Sequence, residues 1–361
     1  MMQDKVKNII ISIGFCISLT IVFIINILSP DKVISNTERR KLAQLPEITL
    51  EKIIKGDAME EWDKYVTDQF IARDFFKNIK TFVSRNIFRQ KDNNKLFEKD
   101  GAIYKIEYPL NKGNIEKSGK KIDAVYNKYL KNMNVYYAII PDKNYYLEND
   151  DHLRIDYNEV KKIMNNELSE MKYIDIWDSL ELEDYYRTDL HWKQENLGDV
   201  VQKIQKEMKV EIQETNYEIE DKGEFYGTYY GQLGIKTEPD RIYVLTNNII
   251  QNCTTYNFET LKKGTIYEKN KSNDKYDIYL SGATPLITIE NPNAKEQREL
   301  LMFRDSFGSS IAPLMTEEYS KITLIDLRYM SSELLKDYIN FKDQDVLFLY
   351  STVVLNQNIL K

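Results

Sequence analysis

Near the start of the chain, the run NIIISIGFCISLTIVFIINIL, Asn8 to Leu28, carries no charge. A bilayer span needs about 20 predominantly apolar residues. Hydrocarbon offers the backbone no hydrogen-bond partners, so such a run can cross only as a helix. The other reading is a cleaved signal peptide. The run is long for one, and SPDKVISN after it is a poor cleavage site. Phe15 before Cys16 matches a lipoprotein site poorly. The sequence therefore favours an uncleaved anchor at 8–28 behind a short cytoplasmic tail at 1–7. Lys5 and Lys7 precede the run while Lys32, Arg39, Arg40 and Lys41 follow it. The positive charges thus leave orientation undecided. A short tail before a large polar body favours export of that body.

Residues 29–114 read as a juxtamembrane stretch and a helical region. Trp62, Tyr65 and Val66 fall on one predicted helix, which Asp57 is placed to cap. Phe75, Phe76, Ile79, Phe82, Val83 and Ile87 share one face of the next. From 115 to 361 helix and strand patterns alternate. NVYYAII, YIDIW, ELLMF, KITLIDL and DVLFLY read as strands, with helical stripes between them. Such alternation predicts an α/β fold, a mostly parallel sheet with helices on both faces. At about 209–295 the pattern turns short, aromatic and glycine-punctuated, and reads as a β-rich insertion.

Composition excludes several functions. A net charge of −7 argues against a nucleic-acid surface. Cys16 lies in the apolar run, far from Cys253, so no disulfide framework is available. With two histidines and two separated cysteines there is little for zinc, and no loop has calcium-site spacing. No metal and no cofactor is expected.

One of the two histidines, His191, sits in RTDLHWKQEN two residues after Asp189. Far downstream, in LLMFRDSFGSS, Ser306 falls where an apolar strand gives way to a helix. Ligands bind at the carboxyl ends of strands in open α/β sheets. A serine there needs a base to become a nucleophile, and the base needs a group to fix its tautomer. Asp189 is close enough to orient His191, leaving Nε2 free for Ser306. The same residues also admit plainer roles. Ser306 and Asp189 are possible helix N-caps, and His191 a core residue beside Trp192.

TDLHW resembles the signature of the DHHW family, in the SGNH-hydrolase-like group that includes the alginate O-acetyltransferases. Further blocks fit in order: ERRKLAQLP at 38–46, IIPDK at 139–143, FYGTYYGQLG at 225–234, DKYDIYLSG at 274–282, RDSF at 304–307 and IDLRYM at 325–330. The resemblance implies a membrane anchor followed by an exported SGNH-like three-layer α/β/α domain. It also implies a catalytic set of Asp189, His191 and Ser306, with Arg328 and Tyr329 near the site. Two positions depart from the pattern. Leu190 replaces the family's first histidine, and SGAT at 281–284 stands where the family often carries Gly-Asn. Ala283 cannot supply that side chain, which leaves the N–H groups of Ser306 and Gly282 as oxyanion donors.

The activity implied is transfer of acetyl groups to an extracellular polysaccharide, with a membrane-bound O-acyltransferase as the partner that supplies them. A carbohydrate acetylesterase would use the same three residues, with water as acceptor. A membrane-anchored glycan-binding or scaffold protein with a degenerate site is the alternative outside enzymology.

Overall fold

The structure is a computed structural model that describes residues 2–35, 38, 40–148, 152–211, 216–235, 237–268 and 274–361. It divides into two compact units, residues 1–93 with 230–236, and residues 94–229 with 237–361.

In the first unit the apolar run lies within one helix, Met2–Leu28, long and apolar enough to cross a membrane. Helices Asp57–Gln69 and Arg73–Phe82 follow, the latter continuing as a wider turn to Ile87. Gly56, not Asp57, caps the first of these, in a left-handed conformation.

The second unit opens with a hairpin, Leu96–Lys99 against Ala102–Lys105. It is tied in where the Ile103 N–H donates to the Arg187 carbonyl at 2.7 Å. The centre is an eight-stranded sheet of β1 (Val135–Ile140), β2 (Lys172–Tyr173), β3 (Thr254–Asn257), β4 (Lys262–Gly264), β5 (Leu286–Glu290), β6 (Glu299–Arg304), β7 (Lys321–Ile325) and β8 (Asp345–Ser351). Across the sheet the order is β4-β3-β5-β7-β6-β8-β1-β2. The strands from β7 to β2 run parallel, and β5, β3 and β4 pair antiparallel at the other edge. Every residue of β1 and β8 is buried. Strands buried on both faces read as continuous apolar runs without alternation, as these two do.

The β-rich stretch at 209–295 is not one inserted module. Its β3, β4 and β5 extend the main sheet, and only Glu218–Phe225 with Asp240–Thr246 forms a separate hairpin. Within the same stretch, YDIYLSG forms no strand of the sheet. The Asp274 side chain caps the Tyr276 N–H and starts a single helical turn, Lys275–Ile278. YIDIW is likewise cut short after Tyr173, where Asp175 accepts from the Trp177 N–H and turns the chain.

Two buried carboxylates tie together the carboxyl ends of the central strands. After β6, Asp305 accepts the Phe307 N–H at 3.0 Å and the Ser351 N–H, at the end of β8, at 2.8 Å. After β1, Asp142 accepts from the Tyr157 hydroxyl at 3.0 Å and the Thr352 hydroxyl at 3.1 Å. The ends of three neighbouring strands are thereby held in register.

Candidate active site

Ser306 lies in the turn between β6 and the short helix Gly308–Ile311. The turn is tight because Gly308 packs on the strand end. A Cβ there would come within 2.5 Å of the Arg304 Cβ. Ser306 does not cap the helix, whose first flanking residue is Phe307. Its Oγ instead lies 2.8 Å from His191 Nε2.

His191 reaches back to its own chain. Its Nδ1 is 2.6 Å from Asp189 Oδ1, and its backbone N–H donates to the same oxygen at 3.1 Å. That pairing makes Nδ1 the protonated nitrogen and leaves the Nε2 lone pair for the serine. The imidazole is sandwiched rather than loose. Tyr276 stacks on it at 3.9 Å between ring centroids, and Phe307 packs against it at 4.8 Å.

Asp189 is buried, and burial alone would raise its carboxyl. The charge and hydrogen bond of His191 and the N–H groups of Thr228 and His191 outweigh burial and hold it well below the usual carboxylate range. It therefore stays ionised beside the imidazole.

The geometry adds residues that the sequence reading did not single out. Thr228 donates its N–H to Asp189 Oδ2 at 2.7 Å, with its hydroxyl at 3.2 Å. Gly227 sits directly on the turn, where a Cβ would lie 2.3 Å from the Thr188 carbonyl oxygen. Asp240 accepts from the N–H groups of Arg187 and Thr188 and from the Thr188 hydroxyl at 2.6 Å. Beneath the turn, buried Lys143 donates to the carbonyls of Tyr186, Arg187 and Asp189. Trp192 anchors the two halves of the site to each other, its indole donating to Ser310 Oγ at 2.8 Å. Lys143, Gly227, Thr228 and Tyr276 lie in the IIPDK, FYGTYYGQLG and DKYDIYLSG blocks. The signal was present in those blocks, but spacing could not assign the roles.

The other expected site residues fall differently. Gly282 has φ +81 and a Cβ there would meet Asp277 Oδ1 at 2.2 Å. Its N–H donates to the Tyr279 carbonyl at 3.2 Å, so it is a turn glycine and not a free oxyanion donor. Arg328 is held by Asp326, whose carboxylate also faces the fully buried Arg304 at 3.6 Å. Tyr329 lies exposed beside Arg328, 5.3 Å from guanidinium to ring. Among the described residues, neither bonds to Ser306, His191 or Asp189. Leu190, in place of a histidine, packs against the core. The His152 ring stacks on Phe97, 3.5 Å between ring centroids.

No protein-family model matches the sequence, and no curated protein is a significant match to it. Solved structures do match. A DHHW family protein from Eubacterium siraeum aligns with a TM-score of 0.62 at 20% identity, over 74% of this chain and 95% of that one. The chain shares that protein's fold. Bacillus cereus PatB1 aligns at 0.58 and 19% identity, over 74% of this chain and 98% of that one. PatB1 with a sulfonyl adduct aligns at 0.56 and 18%, over 74% of this chain and 96% of that one. The α/β/α architecture implied by the sequence motifs is the one observed. Among the described residues no group of His, Cys, Asp or Glu is arranged to hold a metal ion.

A cleft of about 670 Å³ opens beside the turn, lined by Tyr104, Tyr146, Tyr186, Arg187 and Lys193 among others. Neither Ser306 nor His191 lines it. It lies on the Lys143 side of the turn.

Proposed function

We propose that this protein is an O-acetyltransferase that modifies an extracellular polysaccharide through an acetyl-serine intermediate. The observation that carries the reading is the continuous chain from Asp189 to His191 to Ser306, at 2.6 and 2.8 Å. The DHHW-like motifs and the shared fold agree with it.

Ser306 Oγ attacks the acetyl carbonyl of the donor and passes its proton to His191 Nε2. The donor's C–O bond breaks, and His191 returns the proton to the leaving oxygen. A sugar hydroxyl then gives its proton to His191 and attacks the acetyl-serine, and the proton returns to Ser306. Asp189 holds the tautomer and stabilises the imidazolium in both halves. The Ser306 N–H, at the start of the turn, is the donor available to the oxyanion. With water in place of the sugar the same cycle is hydrolysis, and exclusion of water selects transfer. An acetyl group made inside the cell must cross the membrane. The reading therefore includes a membrane-bound O-acyltransferase as supplier, with residues 8–28 anchoring the chain as a single-pass cell-membrane protein and its catalytic unit outside.

Ser306→Ala and His191→Ala should each lower turnover of an activated acetyl ester by about 10,000-fold or more, because members of such a set act as a unit. His152→Ala should leave turnover intact. A sulfonyl fluoride should label Ser306 in the wild type and not in Ser306→Ala, read by mass spectrometry. NMR of the cell's extracellular polysaccharide should show acetyl groups lost with Ser306. Wild-type turnover in Ser306→Ala would remove the assignment of the nucleophile.

A further inference from the structure

The helix Arg73–Phe82 is built inside out. Its polar side faces the protein. Arg73 and Lys77 both reach the buried Glu38, at 2.9 Å each. Lys77 also donates to the Gly231 carbonyl, and Thr81 to that of Leu233 at 2.7 Å. The Asn93 amide donates to the Thr81 hydroxyl at 2.8 Å. The apolar side faces outward, with Phe75 at 60%, Phe76 at 54% and Phe82 at 61% exposure. Ile79, Ile87 and Phe88 are exposed with them. A helix in water does the reverse and turns its apolar stripe to the core. An exposed apolar surface this contiguous marks an interaction site.

What covers it follows from where it is fastened. The Ile71 N–H donates to the side chain of Asn26 at 2.8 Å, and Asn26 lies in the last turn of the apolar helix. Just beyond that helix, the Lys32 N–H donates to Gln69 at 2.9 Å and Tyr65 reaches Asp31 at 3.1 Å. Phe75 and Phe76 come four and five residues after Ile71, only about 6–8 Å further along the chain if helical. If the apolar helix crosses the bilayer, these rings begin at the level of the headgroups. The segment's charge fits too. Residues 73–88 carry Arg73, Lys77, Lys80 and Arg85 against Asp74, with Arg73 and Lys77 paired to Glu38. Aromatic and aliphatic residues on one side and basic ones on the other make an element that lies in the membrane interface and favours anionic lipid.

We infer that residues 73–88 form an interfacial membrane-binding helix, with Phe75, Phe76, Ile79 and Phe82 inserted among the lipids beside the end of the apolar helix. This inference rests on the anchor reading of residues 8–28 and is independent of the chemistry at Ser306. The groove of about 600 Å³ bounded by Phe75, Ile79, Phe82 and Ile235 is then open to acyl chains rather than to water.

The test uses the full chain in vesicles of phosphatidylcholine and phosphatidylglycerol, with the phosphatidylcholine either plain or brominated on its acyl chains. Bromine quenches tryptophan only on contact. Trp177 and Trp192 are buried and serve as an unquenched background, and Trp62→Phe removes the third tryptophan. Into that background go Phe76→Trp and, separately, Phe15→Trp as a reporter of the span. The expected result is loss of the added emission in brominated vesicles for both. Quenching at 15 without quenching at 76 would overturn the inference and leave the anchor standing, the face then being covered by protein or water. Quenching at 76 alone would remove the span and overturn the inference as well, because the place of the rings is argued from that span. Quenching at neither would remove both.

Discussion

The two units treat their helices and polar groups in opposite ways. Around Ser306, the side chains of Asp189, His191 and Asp305 are buried and partnered, and the apolar ones close the core behind them. In helix 73–82 the polar side is the buried one, and the aromatic side is largely exposed. The two units carry the same kind of sequence pattern, an apolar stripe at helical spacing. The difference teaches that the stripe is a statement about the solvent. Where the solvent is water it seeks the core, and where the solvent is lipid it faces outward.

The largest effect that would sharpen this contrast is expected at Gly227. Its hydrogen stands where a Cβ would strike the Thr188 carbonyl at 2.3 Å and the Asp189 Cβ at 2.4 Å. Gly227→Ala should push the turn aside, and a displacement of about 1 Å at a catalytic group costs on the order of 100-fold in rate. Steady-state kinetics with a model ester reads this. Unchanged turnover would mean that the crowding does not set Asp189.

Next comes Lys143, a buried amine set against three carbonyls. Burial pushes its ammonium down to about 7, against the pull of Asp189 and Asp240. An unfolded lysine holds its proton to about pH 10.4. Above pH 7 the unfolded chain therefore carries a proton the folded one has released, and stability rises with pH. Between pH 7 and about 8.5 the wild type should gain about 2 kcal/mol relative to Lys143→Met. Urea unfolding followed by Trp177 and Trp192 emission measures it. Parallel pH curves would show that Lys143 stays charged in the fold.

The smallest effect is also the one that tests the inversion itself. Thr81→Val removes a buried hydroxyl that serves both Leu233 and Asn93, and should cost about 1 kcal/mol or more. Phe76→Ser, on the exposed side, should cost about 0.5 kcal/mol or less in detergent. Unfolding of the first unit can be followed through Trp62. If the phenylalanine proves the more costly of the two, its face is packed against protein and the contrast between the units fails.

The sequence by itself determined what depends on neighbours along the chain. The uncharged run from Asn8 to Leu28 forces a helix. The alternation after residue 115 gave β1, β6, β7 and β8 nearly to their ends, because continuous apolar runs of that length have few other uses. Asp189 and His191 could be paired on paper because two residues separate them. Ser306 could be placed because a strand ends just before it. Tertiary structure decided the rest. Period tells which residues share a face and is silent on what that face meets, so Phe75 and Phe82 could not be told from core. Thr228, Lys143 and Tyr276 meet the Asp189–His191 turn from distant points of the chain, and only the closed fold brings them there. Gly282 spends its N–H on Tyr279, three residues back, through a left-handed turn that composition does not announce. For the phenylalanines and for Thr228, Lys143 and Tyr276 the deciding term is a contact whose partner lies elsewhere in the chain or outside it, and a linear pattern carries no record of that partner.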